Sequence, residues 1–101
     1  WFAAMEAEVA LNAGRFDAAL ALARAAIEEA AAMDGIYSEG FARRVYGQAL
    51  AATGAPRSAI DEQFAASVKC FDRGGAVLES ARTHSWWGEV HAGRGNGASQ
   101  P

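Results

Sequence analysis

Residues 14–35 read GRFDAALALARAAIEEAAAMDG, and this stretch, from Gly14 to Gly35, decides the fold. Phe16, Ala19, Leu20, Ala23, Ala26, Ile27 and Ala30 recur at steps of three and four, which draws one apolar stripe along a helix of 3.6 residues per turn. Asp17, Arg24, Glu28 and Glu29 fall mostly off that stripe. Gly14 in front and Asp34-Gly35 behind punctuate it, because glycine accepts the left-handed backbone that closes a helix. The stretch therefore predicts one amphipathic helix, Phe16–Met33, whose alanine face lets a neighbour approach closely.

The same punctuation returns at Thr53-Gly54, at Gly74-Gly75 and from Gly93 to Gly97. It divides the chain into five predicted helices, at about Phe2–Ala13, Phe16–Met33, Ser38–Thr53, Pro56–Arg73 and Ala76–Ala92. Pro56 suits the first turn of the fourth, where a missing N–H costs nothing. That helix repeats the stripe with Ile60, Phe64, Ser67, Val68 and Phe71. Proline occurs only at Pro56 and Pro101, and no stretch alternates with a period of two, so the fold class is all-α. Connections of a few residues make neighbouring helices antiparallel. Residues 1–93 form the helical domain in this reading, and residues 94–101 a flexible tail.

At 101 residues with 51% hydrophobic side chains, the chain has the size and composition of one small globular domain. A net charge of −3, with Arg43-Arg44 as the densest basic spot, argues against nucleic-acid binding. Glu6, Glu8, Asn12, Arg15 and Asp17 interrupt the apolar runs, which argues against a membrane span. Cys70 is the only cysteine; it predicts a buried thiol and suits a reducing, cytoplasmic setting. The opening Trp1-Phe2 carries no leader and falls inside a helical pattern, so the chain reads as a piece of a longer protein. Trp1, Phe2 and Met5 then form an apolar edge with a tendency to self-associate.

Self-similarity organises the whole. Forty residues separate Gly14 from Gly54, and forty-one separate Gly54 from Gly95. Seven residues before these glycines stand Ala7, Gly47 and Gly88. Glycine inside a helix costs about 1 kcal/mol relative to alanine, so a close helix approach is expected at both Gly47 and Gly88. Ala19 and Ala26 are matched by Ala59 and Ala66. This pattern resembles the tetratricopeptide repeat, a helix–turn–helix unit, with Ala7, Gly47 and Gly88 as its small first-helix residue. Gly14, Gly54 and Gly95 stand at its turn. The units differ from the family in running forty residues where about 34 is usual, in lacking a closing proline, and in placing Pro56 where the first unit has Phe16. In that length they resemble the C-terminal repeats of bacterial ATPase-type regulators and nucleotide cyclases.

The resemblance implies a short right-handed α-solenoid with units at about 1–34, 35–74 and a partial 75–95. It implies a protein or peptide partner held on the first helices of successive units, no catalysis and no cofactor. Carried over position by position, the partner-binding face holds Glu8 and Asn12, then Arg44 and Gln48, then Arg82, Ser85 and Glu89. Trp86 joins them as a contact, because Trp86 and Trp87 cannot both face one core.

Other residue clusters read as structural. His84 and His91 lie seven apart, a poor spacing for a helical metal pair, so neither is assigned a metal. Glu28-Glu29 and Asp61-Glu62 point about 100° apart on a helix and read as solvated. Cys70, Ser67 and Ser85 lack the context of a nucleophile. The rival reading is a small helical-bundle enzyme or ligand-binding fragment, with His84 and His91 beside a carboxylate in a pocket.

Overall fold

A computed structural model describes residues 2–99, with side chains over residues 3–93. The expectations placed on Trp1, on the Phe2 side chain and on the end of the tail lie outside the described residues. Five helices follow in order: α1 (Phe2–Asn12), α2 (Phe16–Ala32), α3 (Ile36–Ala52), α4 (Arg57–Arg73) and α5 (Val77–Ser99). The fold is all-helical, and no strand occurs among the described residues. None of these helices is long and apolar enough to cross a membrane. Only α5 departs from its expected bounds by more than about two residues, passing Ala92 through Gly93, Gly95 and Gly97. Glycine weakens a helix without blocking it as proline does.

One device makes every connection. The backbone turns left-handed once after each helix, at Gly14 (φ +79°), Asp34 (+55°), Gly54 (+77°) and Gly75 (+74°). The next N–H then reaches back into the last turn: Arg15 to Ala10 at 2.9 Å, Gly35 to Ala30 at 2.8 Å, Ala55 to Leu50 at 3.0 Å and Ala76 to Phe71 at 2.8 Å. These are Schellman closures, which satisfy carbonyls the helix leaves open. After α2 the left-handed residue is Asp34; its neighbour Gly35 is the N-cap of α3. The sequence marks the place but not which of the two residues takes the strained angle.

The closures fall twenty, twenty and twenty-one residues apart, so the elementary period is one helix with its turn. The extra residue is Pro56, which caps α4 with φ −58° and ψ 144°. It moves the buried face of α4 one residue on. Ile60, Phe64, Ser67 and Phe71 are buried there, answering Ala19, Ala23, Ala26 and Ala30 of α2. The expected counterparts Ala59 and Ala66 are only half-buried, which corrects the forty-residue match on that helix.

Three layers of small side chains bind the first three helices: Ala4, Ala26 and Ala42; Ala7, Ala23 and Val45; Ala10, Ala19 and Ala49. As numbers rise on α1 they fall on α2 and rise again on α3, so α1 and α3 run parallel. The second half packs differently. A Cβ on Gly40 would stand 3.0 Å from the Phe71 ring, and one on Gly47 would stand 2.9 Å from Phe64. Tyr37, near the start of α3, meets Gly74 at the end of α4, so α3 and α4 are antiparallel. Glycine on one helix thus makes room for phenylalanine on the next. Gly88 was expected to share this role and does not: nothing lies within 4 Å of its would-be Cβ, because that side of α5 faces no helix.

Each helix touches the one before it, and α3 also touches both α1 and α5. Among the described residues α2 does not touch α4, and α1 does not touch α5.

Candidate functional site

A groove of about 410 Å³ crosses the odd-numbered helices, lined by Glu8 from α1, Tyr37, Phe41 and Arg44 from α3, and Glu79 and Arg82 from α5, with Phe71 of α4 behind. Its centre is Arg44, only 7% exposed. The guanidinium carbon lies 5.1 Å from the Phe41 ring centroid and 5.7 Å from that of Phe71. Aromatic faces are electron-rich and attract a cation at such distances. Its Nη1 donates to Glu79 Oε1 at 3.0 Å and to Thr83 Oγ1 at 3.3 Å. Thr83, fully buried, in turn donates to the Glu79 carbonyl at 2.8 Å. This arrangement supplies the charge partner that a buried cation requires.

Glu79 divides its carboxylate. Oε1 takes Arg44 while Oε2 takes Arg82 Nη1 at 2.8 Å, and the Arg82 side chain is 58% exposed. Two cations sharing one anion leave the α5 side of the groove with net positive charge, and Glu8 puts a negative charge on the α1 side. Aromatic walls lie between. Such a surface can hold a segment of another chain by apolar contact and orient it by charge.

Of the residues expected on the binding face, Glu8, Arg44 and Arg82 are brought together here. Asn12, Gln48, Ser85, Trp86 and Glu89 do not line the groove. Asn12, Ser85 and Glu89 are exposed, Gln48 is half-buried, and Trp86 is 46% exposed. Arg44, expected on the partner-binding face, lines the groove but is buried in the helix interface, so it holds the fold as well as the groove. Tyr37, Phe41 and Glu79 were not foreseen. Tyr37 and Phe41 stand seven and three residues before Arg44, one face of one helix, and that spacing was a readable signal.

A second polar cluster joins α4 to α5. Asp61 Oδ1 accepts from Trp87 Nε1 at 2.9 Å and from His91 Nε2 at 2.8 Å. His91 Nδ1 lies 2.6 Å from an Arg57 nitrogen, a pure donor. With Arg57 donating, Nδ1 is the acceptor and Nε2 the donor to Asp61. The Trp87 bond, then His91 and the charge of Arg57, hold the Asp61 carboxyl below its ordinary value against an upward push from burial. Asp61, expected on a solvated face, keeps about a third of its side chain exposed and also ties α4 to α5. Trp87 stacks on Phe64 at 6.0 Å and His84 on Trp87 at 6.1 Å. Neither histidine lines the groove, and the His91 and Asp61 side chains are each about a third exposed. Cys70 is buried, and burial pushes its thiol pKa up.

Among the described residues, no group of three or more histidine, cysteine, aspartate or glutamate side chains is placed to hold a metal ion. Comparison with known protein families, curated proteins and solved structures gives no match.

Proposed function

We propose that this chain is a tetratricopeptide-like repeat scaffold that holds a protein or peptide partner in the groove across α1, α3 and α5, and that it catalyses no reaction itself. One observation carries the reading: among the described residues the odd-numbered helices touch in succession while α2 and α4 stay apart. Hairpins stacked by translation give that pattern, with one helix of each pair lining a shared surface. Helices closed around a common centre would bring α1 against α5 or α2 against α4. In this reading the chain serves a larger, cytoplasmic bacterial signalling or transcription-regulatory protein, as its forty-residue units suggest.

The test is a selection of binding peptides from a displayed random library, followed by titration of one selected peptide into labelled protein. Shifts should gather on Glu8, Tyr37, Arg82 and their neighbours. Arg82→Ala should weaken the peptide about fivefold or more, as loss of an arginine contact does, with an unchanged melting curve. Binding that ignores Arg82→Ala, or shifts confined to the outer faces of α2 and α4, would remove the groove from the function.

A further inference from the structure

We infer that the segment held in the groove is bipolar: an extended stretch that presents a basic, an apolar and an acidic side chain in succession along one edge. Its base meets Glu8, and its acid meets Arg82 with Arg44 behind. This rests on the groove across α1, α3 and α5 being the partner site, and it adds what the partner must carry. At the α5 side, Arg44 spends a single nitrogen on the fold, since Nη1 serves both Glu79 and Thr83. Its Nε and Nη2 make no hydrogen bond to a described residue, yet no buried polar side-chain atom among these residues lacks a partner. Both nitrogens therefore reach solvent from a residue only 7% exposed, and the groove is the opening that Arg44 lines. Arg82 commits Nη1 to Glu79 and keeps 58% of its side chain exposed. A guanidinium carries five N–H donors in a fork that fits a carboxylate. Glu79 has given one oxygen to each arginine, so two cations face one anion, and the open donors call for a second carboxylate.

The α1 side has the opposite need. Glu8 is half-buried and takes part in no ion pair among the described residues. A carboxylate partly withdrawn from water gains from a cation brought to it. Tyr37 and Phe41 of α3 stand between the two sides and offer contact to an apolar side chain. A segment of one charge sign, or an uncharged one, leaves at least one side unanswered. The spacing follows from the helices. Packed neighbours lie about 8–10 Å apart, which puts the axes of α1 and α5 about 16–20 Å apart across α3. The Glu8 and Arg82 side chains reach inward over part of that distance. Residues i and i+4 of an extended segment, about 13 Å apart, bridge the remainder, with i+2 on the same edge.

The probe is a displayed library of random nonapeptides, held between fixed flanks so that neither terminus is free. Peptides selected on the 101-residue chain should carry lysine or arginine four residues from aspartate or glutamate, with an apolar residue midway. That pattern should be at least about tenfold more frequent than in the unselected library. One such peptide, made with both ends capped, is then titrated into the chain and its variants. Replacing its acid by the amide should weaken binding at least about tenfold to wild type and less than about threefold to Arg82→Gln. Replacing its base by glutamine should do the same, with Glu8→Gln as the insensitive variant. Arg82→Met and Glu8→Ala take their place if either loses helix content by circular dichroism. Peptides that shift groove residues but lack either charge, or whose charges show no coupling to Glu8 and Arg82, overturn the inference and leave the groove as the partner site. Peptides whose shifts fall outside the groove, or a selection that yields no binder, overturn both.

Discussion

Gly47 and Gly88 each lie thirteen residues past the left-handed residue before their helix, and alanine should stabilise at Gly88 but not at Gly47. In a helix interior alanine is favoured over glycine by about 1 kcal/mol, a gain common to both. At Gly88 nothing lies within 4 Å of the new Cβ, so Gly88→Ala should stabilise by about 0.5–1 kcal/mol. At Gly47 the Cβ would stand 2.9 Å and 3.0 Å from two carbons of the Phe64 ring. Carbon atoms rest at about 3.5–4.0 Å, so the ring must retreat by about half an ångström. Phe64 is fully buried and backed by Trp87, stacked at 6.0 Å and 11°, and has little room to move. Overpacking of this kind costs about 1–3 kcal/mol, which leaves Gly47→Ala neutral to about 2 kcal/mol destabilised.

Urea denaturation followed by far-ultraviolet circular dichroism measures both variants, and thermal melting should separate them by about 4–8 °C per kcal/mol. The assay extends to a cycle with Phe64→Leu, which removes the obstructing ring edge. Gly47→Ala should be clearly less harmful in that background, because the two sites share one contact. If Gly47→Ala is as stable as Gly88→Ala, or if Phe64→Leu leaves its effect unchanged, the close packing of α3 on α4 is not what retains glycine.

Arg44→Ala should destabilise by about 1–3 kcal/mol, since it removes a buried stem and two aromatic contacts along with the charge; Arg44→Met should cost less, and an unchanged melting curve would make Arg44 a purely binding residue. Asp34→Gly should stabilise by up to about 1 kcal/mol by relieving a left-handed angle that glycine adopts freely, and a lower melting temperature would contradict this. Asp61 titrates below its unfolded value when folded, so the stability it adds is full above about pH 4, the unfolded value, and is lost as pH falls through the lower, folded value. The melting difference between wild type and Asp61→Asn should therefore shrink as pH is lowered from about 5 towards 2, and a difference constant across that range would exclude the carboxylate charge as its source. Gly40→Ala should be at least as harmful as Gly47→Ala, because its Cβ would also meet Cys70 Cβ at 3.1 Å, an atom close to the backbone that yields less than a ring edge; equality with Gly88→Ala would contradict it.

Helix positions and faces were legible because they depend on neighbours three and four residues away. The stripe from Ala19 to Ala30 is buried as its spacing requires, and so are Ile60, Phe64, Ser67 and Phe71. Trp87 packs while Trp86 stays 46% exposed, as adjacent residues on a helix must divide. What escaped depends on pairs far apart in the chain. Arg44 meets Glu79 thirty-five residues on, and His91 meets Asp61 thirty residues back; no local pattern distinguishes these charges from solvated ones. Pro56 misled for a different reason. One inserted residue leaves the glycine spacing nearly intact but turns α4 by about 100°, enough to exchange a buried face for its neighbour.

The groove lies where the units stop resembling each other. Forty residues before Arg44 stands Ala4, and forty-one after it stands Ser85. Ala4 is buried in an alanine layer that needs nothing but closeness. A guanidinium in the corresponding place requires a carboxylate, a hydroxyl and flat surfaces. The chain supplies them from Glu79 and Thr83 on α5, Phe41 on α3 and Phe71 on α4. Ser85, exposed on α5, makes no such demand. The spacing of the turns sets where each side chain falls, and only a residue too costly to bury unaided draws three helices together around it. Groups that neutralise or flank the arginine, Glu79, Phe41 and Phe71, also line the groove.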